Sequence, residues 1–185
     1  MKNILLTLTL LAMSSAVMAA PRNGPYMAIR GGADMLQMKA DAEKEDDVSL
    51  AWIMALGARL KNVRLELEWQ NTAKASWEYT EVEQNRYMFQ LYYDLPTRTA
   101  IRPYLNAGAG LAYTDITFKD DFETLARDKN SFAWNVGGGL GIDVNNRLSF
   151  DLGYRYFNAG KPKYFDDIGI KTDGHEGYFG ARFNF

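Results

Sequence analysis

The last stretch of the chain, Tyr178-Phe179-Gly180-Ala181-Arg182-Phe183-Asn184-Phe185, limits its fold more than any other. Phe179, Ala181, Phe183 and Phe185 fall on one face, and Tyr178, Gly180, Arg182 and Asn184 on the other. A period of two belongs to a β-strand, whose Cβ atoms alternate between opposite faces. A soluble protein rarely ends on a strand-borne phenylalanine pointing away from the polar face. A barrel in lipid has a reason to, because its apolar side meets hydrocarbon and its polar side lines the lumen. Phe185 is therefore expected in an aromatic girdle at one membrane surface.

The same pattern recurs upstream. Met27, Ile29, Gly31, Ala33 and Met35 oppose Ala28, Arg30, Gly32 and Asp34, and Leu50, Trp52, Met54, Leu56, Ala58 and Leu60 share a face opposite Arg59. Across the two-residue turn Lys61-Asn62, Val63, Leu65, Leu67 and Trp69 alternate with Arg64, Glu66, Glu68 and Gln70. Further apolar rows run Tyr87–Tyr93, Pro103–Tyr113, Trp134–Val144 and Leu148–Tyr156, every second residue. Polar stretches at Gln37 to Val48, Asn71 to Glu83, Asp115 to Asn130 and Asn158 to Asp173 read as long loops. The intervening turns, at Lys61-Asn62, around Pro96 and at Asn145-Asn146, are short.

Alternating long and short connections characterise outer-membrane barrels, whose periplasmic turns are tight and extracellular loops long. No charge interrupts an apolar row, where it would face hydrocarbon and cost roughly 2–4 kcal/mol at the midplane. The expected fold is all-β: an eight-stranded antiparallel up-and-down transmembrane barrel with four long extracellular loops and three short periplasmic turns. Strands of about 9–11 residues suffice for a tilted crossing. A lipocalin-like barrel or a sandwich would keep the apolar row inside; neither explains the loop alternation or the terminal Phe185.

Met1-Lys2-Asn3 and the apolar run Ile4 to Ala12, followed by Val17-Met18-Ala19, have the layout of a signal peptide. The expected division is residues 1–19 as signal peptide and 20–185 as outer-membrane barrel. Removing the leader takes away one cation, Lys2, so the formal charge moves from -2 to -3. That balance gives no basic footprint for nucleic acid. With no cysteine, disulfides and thiolate metal sites are ruled out.

Arg64-Leu65-Glu66-Leu67-Glu68-Trp69, Leu91-Tyr92-Tyr93-Asp94-Leu95, Arg102 to Gly110 and Leu152-Gly153-Tyr154-Arg155-Tyr156 resemble the opacity-type surface barrels of Gram-negative bacteria. The wider class holds OmpX-like and OmpA-transmembrane-like proteins. The resemblance implies a cell outer membrane location, contact with membrane lipid and lipopolysaccharide, and insertion by the outer-membrane assembly machinery. Phe179, Phe183 and Phe185 on the terminal strand would be part of the signal that machinery reads.

Three classes of function follow from the residues. The inward rows bring Arg30, Arg59, Arg64, Arg86, Arg155 and Arg182 against Asp34, Glu66, Glu68, Asp143, Asp151 and Glu176. An eight-stranded barrel is just wide enough for side chains to fill, so paired charges are expected to plug the lumen. The polar loops, carrying Trp77, Tyr79, Phe122, Tyr164 and Phe165, are candidate contacts for an extracellular ligand, which points to adhesion or envelope integrity. A narrow conduit for small solutes is the alternative, favoured by inner-row glycines at Gly108, Gly110, Gly137, Gly139 and Gly141. A lipid-modifying enzyme comes third, on the single histidine, His175. Glu176-Gly177 follow it without the His-x-Ser order of lipid A deacylases, so no catalytic role, cofactor or metal site is assigned. The acids Asp41, Glu43, Glu45, Asp46 and Asp47 lack EF-hand spacing and read as a solvated run.

Overall fold

The computed structural model describes residues 23–40, 43–77, 80–119, 124–158, 163–165, 168–169 and 171–185, with side chains placed at 23–35, 49–72, 84–113, 130–158 and 173–185. Among the described residues every regular element is a strand: β1 (Gly24–Ala40), β2 (Glu43–Leu60), β3 (Val63–Trp77), β4 (Thr80–Asp94), β5 (Ile101–Lys119), β6 (Thr124–Asp143), β7 (Leu148–Asn158), β8 (Lys163–Phe165), β9 (Ile168–Gly169) and β10 (Lys171–Asn184). β1 to β7 and β10 form one closed antiparallel barrel, and β8 with β9 makes a separate two-stranded ribbon. Closure comes from β1 on β10, in a register from Tyr26↔Asn184 to Lys39↔Lys171. In hydrocarbon no water is available to backbone amides, so only a ladder without free edges can span it.

Side chains divide as the period of two dictates. Leu56, Leu67, Phe89, Leu105, Leu152 and Phe179 are exposed on the outer wall, whereas Arg30, Arg64, Glu66, Arg155 and Arg182 are buried in the lumen. The core of this molecule is therefore polar and its surface apolar, the inverse of a soluble domain. Phe185, 68% exposed, lies on the outer wall, its amide donating to Pro25 O at 3.1 Å. Phe179 stacks on Phe150 of β7, centroids 5.7 Å apart and 10° between planes.

The turns at the end holding Phe185 are short. Lys61 takes a left-handed φ of 56°, and its amide donates to Asn23 Oδ1 at 2.7 Å. The Asn145 side chain accepts from the amides of Arg147 and Leu148 at 2.8 and 2.9 Å, a side-chain mimic of a backbone turn.

At the opposite end the structure corrects the sequence reading. Strands of 9–11 residues with long loops were expected; β5 and β6 run for 19 and 20 residues. Gln37 pairs with Asp46 and Ala40 with Glu43, so most of the stretch assigned as the first loop is ladder. Residues 71–77 and 80–83 likewise belong to β3 and β4, with a register shift between Thr72 and Ala75. Asp115 pairs with Asp128 and Lys119 with Thr124. Hydrogen bonding continues there, while the apolar residues Met38, Ile116 and Phe118 change parity relative to the outer row.

Candidate functional site

The lumen is a continuous network of guanidinium and carboxylate groups. Nearest the long hairpins, Arg86 pairs with Asp34 and reaches Glu176 Oε2 at 3.3 Å. Gln70 Nε2 donates to the same Glu176 oxygen at 2.8 Å, and Thr72 Oγ1 to Asp34 at 3.3 Å. Arg155 links this group to the next, contacting Glu176 Oε1 and Glu68 Oε1, both at 2.7 Å. Arg30 then forks onto Glu66 through two bonds of 2.7 and 2.9 Å and approaches Asp151 at 3.4 Å. Tyr26 Oη donates to Glu66 as well, at 2.7 Å.

Toward the short turns, Arg64 binds Asp94 at 2.9 Å and lies 3.5 Å from Asp151, and Arg59 shares Asp94 at 2.5 Å. Arg102 closes on Asp143 at 2.7 Å, with Arg182 3.6 Å from Asp151 and 3.9 Å from Asp143. Aromatic faces fill the space between charges. Arg64 sits over Tyr92 at 4.4 Å and Tyr104 at 5.0 Å, and Arg86 over Phe157 at 4.2 Å. Buried charges are tolerable only when paired and hydrogen-bonded, and the fork of an arginine onto a carboxylate supplies both.

Every charge that the sequence places in the lumen, Arg30, Asp34, Arg59, Arg64, Glu66, Glu68, Arg86, Asp143, Asp151, Arg155, Glu176 and Arg182, makes an ion pair here. Two members were missed. Asp94 ends β4 and Arg102 lies at the start of β5, and neither is among the lumen charges named from the sequence. Extending the parity of Tyr92 and Tyr104 by one step places both inward.

The inner-row glycines are close-approach positions. A Cβ on Gly139 would lie 2.6 Å from Tyr104 Oη, and one on Gly137 2.5 Å from Arg155 Cβ. The Gln90 side chain occupies the space over Gly108, and the rings of Tyr178 and Tyr104 the space over Gly153. Tyr104 and Tyr178 meet there, hydroxyl to hydroxyl, at 2.9 Å.

His175 belongs to the outer wall, not the lumen. Its Nδ1 is 2.6 Å from Tyr154 Oη, its ring stacks on Tyr154 at 5.7 Å and 17°, and it meets Tyr156 edge-on at 5.4 Å. Trp134 packs against Tyr156 in turn, at 5.7 Å. Of the aromatics proposed as ligand contacts, Tyr79 and Phe122 lie outside the described residues. Trp77 terminates β3 opposite Thr80, and Tyr164 and Phe165 lie on β8, each described by its backbone only. Among the described residues, no group of three or more His, Asp or Glu side chains is placed to hold a metal ion.

Comparisons with known proteins agree with this architecture. The chain is 40% identical over 87 residues to the outer membrane protein PagN of Salmonella typhimurium, a stretch that is 44% of this chain and 36% of PagN. The chain thus spans well under two thirds of the length of that relative. The barrel superimposes on Neisserial surface protein A with a TM-score of 0.70 at 18% identity, covering 88% of this chain and 97% of the other. Ail, the attachment invasion locus protein of Yersinia pestis, solved with the heparin analogue sucrose octasulfate, gives a TM-score of 0.56 at 17% identity over 89% of this chain and all of the other. At those identities the two structures bear on fold alone. The family model described as "outer membrane protein beta-barrel domain" matches residues 4–185. The chain therefore belongs to the outer-membrane β-barrel family of Gram-negative bacteria and resides in the outer membrane.

Proposed function

We propose that this protein is a surface-display barrel: a plugged scaffold that holds its long hairpins outside the cell to engage an extracellular partner in adhesion or envelope protection. The observation that carries the reading is the lumen, in which ion pairs run without a break from Asp34 to Asp143. A conduit needs water along its axis, and here arginine, carboxylate and tyrosine side chains stand in its place. Of the inner glycines that would favour transport, Gly108 lies under Gln90, Gly139 against Tyr104 and Gly137 against Arg155, which weighs against that alternative. The relation to PagN, an outer membrane protein, is consistent with placement of such a scaffold in the outer membrane.

The partner's chemistry is constrained by charge. The four stretches 37–48, 71–83, 115–130 and 158–173 contain sixteen Asp and Glu against nine Lys and Arg. An acidic outer end repels polyanions and steers basic partners toward it. A sulfated ligand such as the one bound to Ail is thus disfavoured, and a protein with a basic face fits better. The test is adhesion of cells that display the protein to surfaces coated with basic or acidic protein. Retention on the basic coating, weakened by salt and by heparin that masks the coating, is expected. Preferential retention on the acidic coating, or equal retention by cells lacking the protein, would refute the reading.

A further inference from the structure

A groove of about 550 Å3 runs along the outer wall across β2, β1, β10 and β7. Its floor is Gly31, Ala33 and Gly177; Trp52 forms one side, and Leu152 and Phe179 the other. The register sets these residues in one band, with Gly31 between Trp52 and Phe179, and Ala33 beside Gly177. A Cβ built on Gly31 or Gly177 would meet nothing within 4 Å, unlike the crowded glycines of the lumen. The groove opens to lipid and occupies the hairpin-side half of the apolar belt.

Gly177 stays uncovered for a definite reason. Tyr154 lies directly across from it on β7, but the Tyr154 ring is drawn away to stack on His175 and bond its Nδ1 at 2.6 Å. His175 pairs with Met35, one outward step toward the hairpins from Ala33 and Gly177, so a polar ring stands next to the hairpin end of the groove. The Tyr154 hydroxyl engages Nδ1, which leaves Nε2 as the second ring nitrogen. Asp173, which accepts from Tyr156 Oη at 3.1 Å, sits on the same rim.

The geometry points to a binding site for one acyl chain of an outer-leaflet lipid, seated in this groove with a head-group oxygen accepting from His175 Nε2. The volume falls within the roughly 300–1,000 Å3 of small-molecule clefts. The groove is continuous with the bilayer interface that the whole belt presents, and by the direction of the long hairpins it lies in the outer leaflet. A second hollow, of about 700 Å3, lies on the same wall across β1 to β5 between Met27, Leu56, Leu67 and Phe89; the groove over Gly31 and Gly177 is the one whose neighbouring outward position is a histidine.

The test is native mass spectrometry of the protein purified from outer membranes and incubated with purified lipid A or with a saturated phosphatidylglycerol. The wild type is expected to retain one lipid A in preference to phosphatidylglycerol. Gly177→Leu and Gly31→Leu, which fill the floor without a clash, are expected to cut retention at least fivefold. Ala107→Leu, an outward substitution on β5, is the control and should change nothing. His175→Phe keeps the stacking surface but removes Nε2, and should abolish the preference for lipid A. Retention by Gly177→Leu and Gly31→Leu equal to wild type, or an equal loss in Ala107→Leu, would overturn the site. Unchanged preference in His175→Phe would overturn the head-group contact. Heat-modifiable mobility on gels separates a misfolded variant from a folded one that has lost the lipid. The test is independent of the adhesion reading.

Discussion

Glu66 shows what a single residue carries in this barrel. It accepts both bonds of the Arg30 fork and the hydroxyl of Tyr26, and Arg64 lies 3.7 Å away. Removing one partner of a buried pair strands the other charge and costs roughly 3–5 kcal/mol. Glu66→Ala is expected to lower the urea midpoint of the folded barrel in lipid vesicles by a corresponding amount. Replacing Glu66 and Arg30 together by Leu and Met should cost less than the two single changes summed, because no charge is then left unpaired. Gly139 is the steric counterpart. Gly139→Val meets Tyr104 Oη and the β7 backbone, and the folded yield after refolding should fall while Ala107→Val refolds normally.

At the scale of the strand, the outer row was legible from sequence because hydrocarbon imposes one rule on every second residue. Leu65 and Leu67 against Arg64 and Glu66 leave no other register, since a slip of one residue would turn every charge into the lipid. Leu67→Arg, in mid-belt on β3, is therefore expected to destabilise by about 2–4 kcal/mol, and Leu60→Arg, at the short-turn end, by only about 0–1 kcal/mol; equal costs at the two sites would contradict the depth assigned to them. The same logic explains what could not be read. Gln37 to Ala40 and Asp115 to Lys119 are ladder, yet their apolar residues, Met38, Ile116 and Phe118, fall on the opposite parity to the outer row, so the pattern that marks the belt does not extend to them. The roles of the inner glycines were hidden for a related reason. That Gly139 lies under Tyr104 depends on which residue the register sets opposite on the adjacent strand, and single-strand patterns do not carry that. Because the hairpin beyond Thr114 and Lys129 lies outside the hydrocarbon, replacing residues 115–128 by Asn-Gly should leave a folded, heat-modifiable barrel.

For the whole molecule, the inward and outward rows together divide labour between membrane and exterior. An apolar wall anchors the barrel, a charge-paired lumen holds its shape, and the hairpins extend the same strands outward. Eight strands leave an interior just large enough for side chains, and here those side chains are Arg, Glu, Asp and Tyr held in one network. Single-channel recording of the purified barrel in a planar bilayer tests this most directly. Silence is predicted at ordinary voltages, both in the wild type and in Gly177→Leu, which alters only the outer wall. Reproducible conductance steps in the wild type, changed in size by Glu66→Gln or Arg64→Gln, would contradict a plugged lumen and make passage of solutes the function to pursue.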